Sequence, residues 1–345
     1  MEESEPLTKS SVLPTQRVVA ADVAVIVPVG GAAPAWRRCA QSLADLDPAP
    51  GEIVAVIDGP NDQQAKRAAE IGARLLVLEE RGGPARARNH GARAASRDIL
   101  LFVDSDVEAP VDLAAKVAEL FTAHRELTAV MGSYDDAPSD PGFLSQYRNL
   151  LHHFVHQNGR EMASTFWAGC GAVRRQAFHE VGGFDERYAD PSIEDIELGS
   201  RLLRAGHTIR LVKDLQVKHL KKWRPADMFA TDLVRRAIPW TELMLREGQM
   251  LNDLNVKTRD RISVVMAFVV LVTLLAAWIW PPLLAAGALA MILMVALNAG
   301  LFRFYQRERG VLFAAGVIPL YGLYLLTSGL GFAIGFLRHL IGRKR

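Results

Sequence analysis

Up to residue 106 the chain alternates short apolar runs with amphipathic stretches. Residues 23–27 (Val-Ala-Val-Ile-Val) form an unbroken apolar run that stops at Pro28, and residues 53–57 and 99–103 repeat the pattern. A weaker run covers 74–78. Runs of this length bounded by turn formers mark strands buried on both faces. Between them, residues 35–46 carry Trp36, Cys39, Leu43 and Leu46 at helical spacing, and 62–71 and 85–95 read as two more helices. Gly30-Gly31 and Gly82-Gly83-Pro84 supply the turns. Strand and helix alternating in this way predict an α/β domain with right-handed crossovers and a mainly parallel sheet. Residues 144–157 are expected to form a further helix.

Beyond residue 261 the pattern changes. Residues 262–280, 283–302 and 311–337 carry no charged side chain, and about 20 apolar residues suffice to span a bilayer as a helix. Pro281-Pro282 predicts a hairpin between the first two spans, with Trp278 and Trp280 at the interface. The third holds Pro319, Gly322, Gly329, Gly331 and Gly335. Basic residues cluster at Lys257, Arg259 and Arg261, at Arg303, Arg307 and Arg309, and at Arg338, Arg343, Lys344 and Arg345. The positive-inside rule places all three clusters on the cytoplasmic face. Two spans satisfy the first two clusters. The last requires 311–337 to be kinked and re-entrant, or the rule to fail at the tail. Residues 223–260 mix Arg235, Arg236 and Arg246 with Met228, Phe229 and Trp240, the make-up of amphipathic helices lying at a membrane surface. The expected domains are a disordered tail (1–20), an α/β domain (21–222), interfacial helices (223–260) and an α-helical membrane domain (261–345).

Composition narrows the function. The chain has 345 residues and a net charge of +2, which argues against nucleic acid as a partner. Two cysteines, Cys39 and Cys170, make no disulfide framework. Residues 1–17 are polar with no apolar core, so they read as a tail and not as a signal peptide. The α/β domain is therefore expected on the cytoplasmic side of a multi-pass inner-membrane protein.

Ligands in open α/β sheets sit beyond the carboxyl ends of the strands. The run 99–103 ends there in Asp104-Ser105-Asp106, and acids at i and i+2 can share a hard divalent cation. The run 53–57 ends at Asp58. Dinucleotide binding is excluded, because Pro28-Val29-Gly30-Gly31-Ala32 lacks the Gly-x-Gly-x-x-Gly spacing. His152 and His156 share a helix face at i, i+4, with no third metal ligand identifiable.

These motifs, in this order, resemble the family 2 glycosyltransferases, inverting enzymes with a GT-A fold. Val25-Ile26-Val27-Pro28 resembles the opening strand, and Val56-Ile57-Asp58-Gly59 the Asp-Asp-Gly-Ser loop, with Ile57 and Pro60 replacing its first aspartate and its serine. Residues 83–91 resemble the segment beside the nucleotide, and Asp104-Ser105-Asp106 the metal motif. Residues 169–174 and 181–186 resemble the acceptor-side region, and Ile193-Glu194-Asp195-Ile196-Glu197-Leu198 the acidic motif that supplies the base. The resemblance covers residues 23–219.

It implies a donor site of Pro28, Asp58, Arg86, Arg88, Asn89 and Asp104. Arginines at a helix start suit phosphate, the alternative being that one of them pairs with a carboxylate. It also implies a Mn or Mg ion on Asp106, Asp104 and His219, Asp195 as base with Glu194 beside it, and an acceptor side at Gly169, Cys170, Gly171 and Trp223. The substrates would be a UDP- or GDP-sugar and a lipid-linked or membrane-proximal acceptor, with membrane lipids as partners. A processive polysaccharide synthase is the alternative enzyme. It is disfavoured because only Lys221-Lys222-Trp223 stands where those enzymes carry Gln-x-x-Arg-Trp. An inactive nucleotide-sugar-binding scaffold is the alternative from another class. Spans without ionisable residues argue against a transporter. The sequence leaves the oligomeric state open.

Overall fold

The computed structural model of the chain describes residues 18–30, 33–248 and 252–342. The expected tail up to residue 17, Gly31 of the first turn, and the terminal basic residues Arg343, Lys344 and Arg345 lie outside the described residues. Residues 18–20 of the expected disordered tail (1–20) are held in place: Val18 N donates to the Thr122 hydroxyl, which donates in turn to Val18 O, both at 2.9 Å.

The four apolar runs become strands β1 (Val23–Val29), β2 (Glu52–Ile57), β3 (Arg74–Val77) and β4 (Ile99–Val103). All are parallel, in the order β3-β2-β1-β4. The helices between them are α1 (Ala33–Ala44), α2 (Asp62–Glu70) and α3 (Gly83–Ala94). Side chains alternate across a strand, and here both faces are covered. Val23, Val25 and Val27 pack with Trp36, Cys39 and Leu43 of α1, while Ala24 and Ile26 pack with Ala85 and Ala92 of α3. A Cβ on Gly91 would come within 2.5 Å of Ile26 Cγ2, so only glycine lets α3 lie this close to the sheet.

The other half of the sheet is mixed, where a mainly parallel sheet was expected. After the short β5 (Val107–Glu108) and α4 (Leu113–Ala123), strands β6 (Ala129–Tyr134), β7 (Cys170–Arg174) and β8 (Ile209–His219) continue the order β4-β7-β6-β8-β5. Strand β7 is antiparallel to both β4 and β6, and β6 is parallel to β8. The reversal sets the start of β7 beside the end of β4, with Cys170 opposite Val103. Helices α5 (Phe143–Gln157), α6 (Arg175–Glu180) and α7 (Glu194–Arg204) fill the intervals.

Next come α8 (Pro225–Ala230), a π-helical turn (Thr231–Ala237) and α9 (Ile238–Glu247), in the expected interfacial region. They pack on the protein through Met228, Trp240 and Leu243 and leave Phe229 and Val234 exposed. The C-terminal helices are α10 (Thr258–Ala276), α11 (Leu283–Leu297), α12 (Ala299–Arg309) and α13 (Val311–Gly342).

The structure revises the three expected spans. The run 262–280 ceases to be helical after Ala276, so α10 begins instead among Arg259, Asp260 and Arg261. The run 283–302 bends by 71° between α11 and α12. At the bend Asn298 donates to the Ser263 hydroxyl at 2.8 Å and accepts from the Tyr321 hydroxyl at 3.0 Å, tying α10, α11 and α13 together. At 1.5 Å per residue α11 is only about 22 Å long, short of the roughly 30 Å hydrocarbon core. Among the described residues one unbent helix, α13, is long and apolar enough to cross a membrane, at about 48 Å by the same rise. It runs unbroken through Pro319, so the re-entrant alternative does not arise.

The helical and α/β parts are joined through α5. Tyr147, Leu150 and Leu151 share one core with Trp223, Tyr305, Val317 and Tyr321. Arg148 forms a buried ion pair with Asp232 of the π-helical turn and lies 5.5 Å from both the Trp223 and Tyr324 rings.

Candidate active site

The candidate residues gather at the carboxyl ends of β1, β2 and β4. Asp58, just past β2, accepts from Gly82 N at 2.7 Å and from Gly83 N at 3.2 Å, which fastens the start of α3 to the sheet. Gly83 takes φ +81°, and a Cβ there would meet Ala189 O at 2.0 Å. Two conditions therefore demand glycine at that turn. Pro28 is buried within β1 and paired with Val56. From α3, Arg86 folds over Gly82 and pairs with exposed Glu80 at 3.4 Å.

Arg88 and Asn89 turn inward. Arg88 donates to Asp104 Oδ1 at 2.6 Å and to Glu194 Oε1 at 2.8 Å, and its guanidinium lies 5.3 Å from the Phe184 ring centre. The carboxylate-paired alternative is the one the structure shows, with the guanidinium buried between its two acids. Asn89 donates to Phe184 O and Glu186 Oε1 and accepts from Phe184 N, all at 2.9 Å. Those bonds commit it to the 184–186 loop, where a donor contact was expected. Glu194 is likewise committed, accepting from Arg88 on one oxygen and from Ser192 N at 2.8 Å on the other.

The tight turn after β4, closed by Val107 N on Asp104 O at 3.1 Å, separates the two acids of the motif. Burial pushes the Asp104 carboxyl up, partly offset by Arg88. Burial also opposes charge on Asp106, but His219 and Lys221 outweigh it and hold Asp106 below the usual carboxylate range. Strand β5 places Val107 opposite His219, so Asp106 Oδ2 lies 3.5 Å from His219 Nε2. The other ring nitrogen, Nδ1, is 2.7 Å from Asn149 Oδ1, an oxygen that also accepts from Trp223 Nε1 at 3.0 Å. An amide oxygen only accepts, so Nδ1 carries a proton, and Nε2 is the nitrogen turned toward Asp106. Metal-binding histidines are set up in this way. The pair fits a divalent cation that draws its other ligands from substrate and water. Among the described residues no trio of His, Cys, Asp or Glu is arranged to hold a metal. The expected third ligand, Asp104, faces Arg88 instead.

Asp195 opens α7 and is only partly covered. It accepts from Ala168 N at 3.2 Å and from Ile196 N at 2.8 Å, and burial together with the Glu194 charge raises its pKa to about 7. It lines a cavity of about 70 Å³ with Trp167, His152, His156 and Arg236. Of the expected acceptor-side residues, Cys170 and Gly171 are buried in β7, and Gly169 O accepts from Asp104 N at 3.3 Å. A Cβ on Gly169 would meet the Trp167 indole at 2.3 Å, so these residues seat Trp167, which the sequence reading missed. Trp223 is buried behind His219. Tyr134 was missed as well: it stacks on His219 with ring centres 4.2 Å apart and stands edge-on to Trp167 at 4.7 Å. Arg236 donates to His152 Nε2 at 3.2 Å. Burial, with Arg236 and His153 nearby, pushes His156 down to about 3, and His152 is held well below its ordinary value. Both rings are therefore neutral.

Residues 24–182 match the family profile "Glycosyl transferase family 2", and residues 148–224 the profile "N-terminal domain of galactosyltransferase". A pre-mycofactocin glycosyltransferase of Mycobacterium tuberculosis is 28% identical over 226 residues, covering 61% of this chain and 45% of that protein. An uncharacterized glycosyltransferase of Bacillus subtilis is 28% identical over 212 residues, covering 47% and 54%. The chain thus spans about half the length of the curated relatives it matches. A mannosyltransferase of Pyrobaculum calidifontis, solved with GDP-Man and Mn2+, is similar in structure with a TM-score of 0.55 at 17% identity, covering 95% of this chain and 91% of that one. The likeness identifies the GT-A fold and, at that coverage, extends through most of the C-terminal helices.

Proposed function

We propose that this chain, whose residues 24–182 carry a glycosyl transferase family 2 domain, is an inverting glycosyltransferase. It moves one sugar from a nucleotide-diphosphate sugar to an acceptor at the membrane surface. The observation that carries the reading is Asp195: a carboxylate held near pH 7 on a cavity is a general base poised for neutral conditions. Asp195 takes the proton of the acceptor hydroxyl as its oxygen bonds to the anomeric carbon. The bond from that carbon to the diphosphate breaks on the opposite face, and the diphosphate leaves with the electron pair. Arg88 holds Glu194 and Asp104 in place, and Asp58 fixes the start of α3, whose positive end faces the phosphates. A divalent cation held by Asp106 and His219 would supply charge to the leaving diphosphate.

Attachment to a membrane rests on α13 and on the α10–α11 hairpin, whose tip carries Trp278 and Ile279 at 94% and 85% exposure. The hairpin is too short to cross and long enough to embed, with the α/β domain on the cytoplasmic side where nucleotide sugars are made. The test is a screen of UDP- and GDP-sugars against a membrane lipid extract, read by product mass with and without chelator. Loss of product with Asp195→Asn supports the reading, and wild-type turnover by that variant overturns it.

A further inference from the structure

The helical part encloses a cavity of about 410 Å³, within the size range of sites that bury small ligands. Its lining combines two kinds of side chain. Val265, Phe268, Leu325 and Phe332 are apolar, and Val265 and Phe332 are also exposed on α10 and α13. Five cations (Arg148, Arg236, Lys257, Arg259 and Arg261) stand with two acids, Asp232 and Asp260. Arg148, Arg236, Trp240, Asn255 and Tyr324 also line the Asp195 cavity, so the two cavities adjoin. Two residues of this shared wall hold buried donors, Arg148 Nε and Trp240 Nε1, with no hydrogen-bond partner among the described residues. Arg148 is 1% exposed and Trp240 7%. Buried N–H groups are rarely left unpaired in a finished structure, so an acceptor bound in the cavity would complete these two.

We propose that this cavity is the acceptor site and that its ligand is an anionic lipid. The hydrocarbon tail lies along Phe268 and Phe332, a phosphate sits at Arg236, and a hydroxylated headgroup extends past it to Asp195. The assignment rests on the transferase reading for the word acceptor, and on the cavity alone for the ligand class. Phosphate is favoured over a carboxylate because cations outnumber acids by five to two in this lining, two of them (Arg148 and Arg236) on the shared wall, and the arginine fork matches phosphate oxygens. Arg236 is the specificity residue. It belongs to a π-helical turn, a distortion frequent at functional sites, lies on both cavities, and touches His152 beside the base.

Binding is tested on the full chain in non-ionic detergent without any donor, using dodecyl phosphate and dodecanol as probes and UDP and GDP as controls. The expected result is at least a tenfold preference for dodecyl phosphate over dodecanol. Arg236→Ala abolishes the preference, Arg236→Lys keeps part of it, and Ser328→Trp, which puts an indole into the cavity lining, weakens both probes. UDP and GDP bind alike in all four proteins. Equal affinity for phosphate and alcohol, or a preference untouched by Arg236→Ala, overturns the site. Displacement of dodecyl phosphate by bilayers of zwitterionic phosphatidylcholine, which carry no net charge, assigns the cavity to bulk lipid and also overturns it. If Arg236-dependent binding is present but no sugar is ever transferred, the transferase reading fails and the lipid site stands.

Discussion

The two flanks of Asp195 are built on opposite principles. On the side of β1, β2 and β4 most polar groups already have protein partners: Asp58 has Gly82 and Gly83, Arg88 has Asp104 and Glu194 though its Nε is buried without a partner among the described residues, and Asn89 has the 184–186 loop. On the side of α5 and the π-helical turn, Arg148 Nε, Asn149 Nδ2, His156 Nδ1 and Trp240 Nε1 are buried with no partner among the described residues. A flank satisfied from within keeps its shape when empty, which suits a donor whose diphosphate needs a pre-set cradle. A flank with unpaired buried groups is completed only by what binds there. The difference teaches that one side of the site is scaffold and the other is receptor, with the base on the border.

The sharpest way to break that division is at the border. Asp195→Asn is expected to lower transfer by about 10²–10⁴-fold while donor affinity holds, measured by single-turnover kinetics and nucleotide titration. In the wild type kcat/KM should rise with pH to a plateau above about 7, because only ionised Asp195 accepts a proton. The sign for stability is the reverse. A carboxyl whose folded pKa lies above its unfolded value of 3.8 opposes folding increasingly as pH rises from there through about 7. Asp195→Asn should therefore have a Tm no lower than the wild type at pH 8. A variant both inactive and much less stable would place Asp195 in the scaffold.

Next in size is the scaffold itself. Arg88→Met leaves buried Glu194 and half-buried Asp104 unpaired, and breaking a buried ion pair on one side costs about 3–5 kcal/mol. Denaturant unfolding should show that loss, with part of it restored when Glu194→Gln is added. Full stability with weakened donor binding would instead make Arg88 a phosphate ligand. A smaller effect is expected behind His219. Asn149→Leu removes the oxygen that orients the ring and should weaken Mn2+ binding about 10–100-fold with Asp106 unaltered, as read by metal titration. Unchanged affinity would separate His219 from the cation.

The two flanks also differ in how much of them can be read from the chain. Strands β1 and β4 are apolar throughout and covered on both faces, so their period and their ends are plain, and with them Asp58, Asp104 and Asp106. Strand β7 is Cys-Gly-Ala-Val-Arg, small and short, and β8 alternates with a half-exposed face. Neither announces a sheet, and the mixed half was invisible. The acids of α7 were legible as a motif, but the partner that fixes Glu194 is 106 residues away. No local pattern links them, so Arg88 read as a phosphate ligand. Asn149 and Tyr134 stayed hidden for the same reason, being ordinary residues until β8 brings His219 against them. In the helical part, counting charges located the apolar runs but not the bend at Asn298, whose cause is a set of hydrogen bonds to Ser263 and Tyr321.

The smallest expected effect tests whether the scaffold flank keeps any residue for the donor. Arg86 and Arg88 stand two positions apart at the start of one helix, and successive helix positions face different directions. Arg88 is consumed by buried Glu194 and half-buried Asp104, whereas the acid beside Arg86 is exposed Glu80, at 3.4 Å. Such pairs contribute about 0–1 kcal/mol, so Arg86→Ala should barely move the unfolding midpoint. Its guanidinium stands near the positive end of α3, where anions are favoured. The variant should raise the KM for nucleotide sugar several-fold and leave kcat within about twofold, because a contact made equally in ground and transition states acts on binding alone. A fall in stability comparable to that of Arg88→Met would make both arginines struts. A KM unchanged in Arg86→Ala would leave the phosphates to the backbone of α3 and the cation pair, and the scaffold flank would then hold the donor without committing an arginine to it.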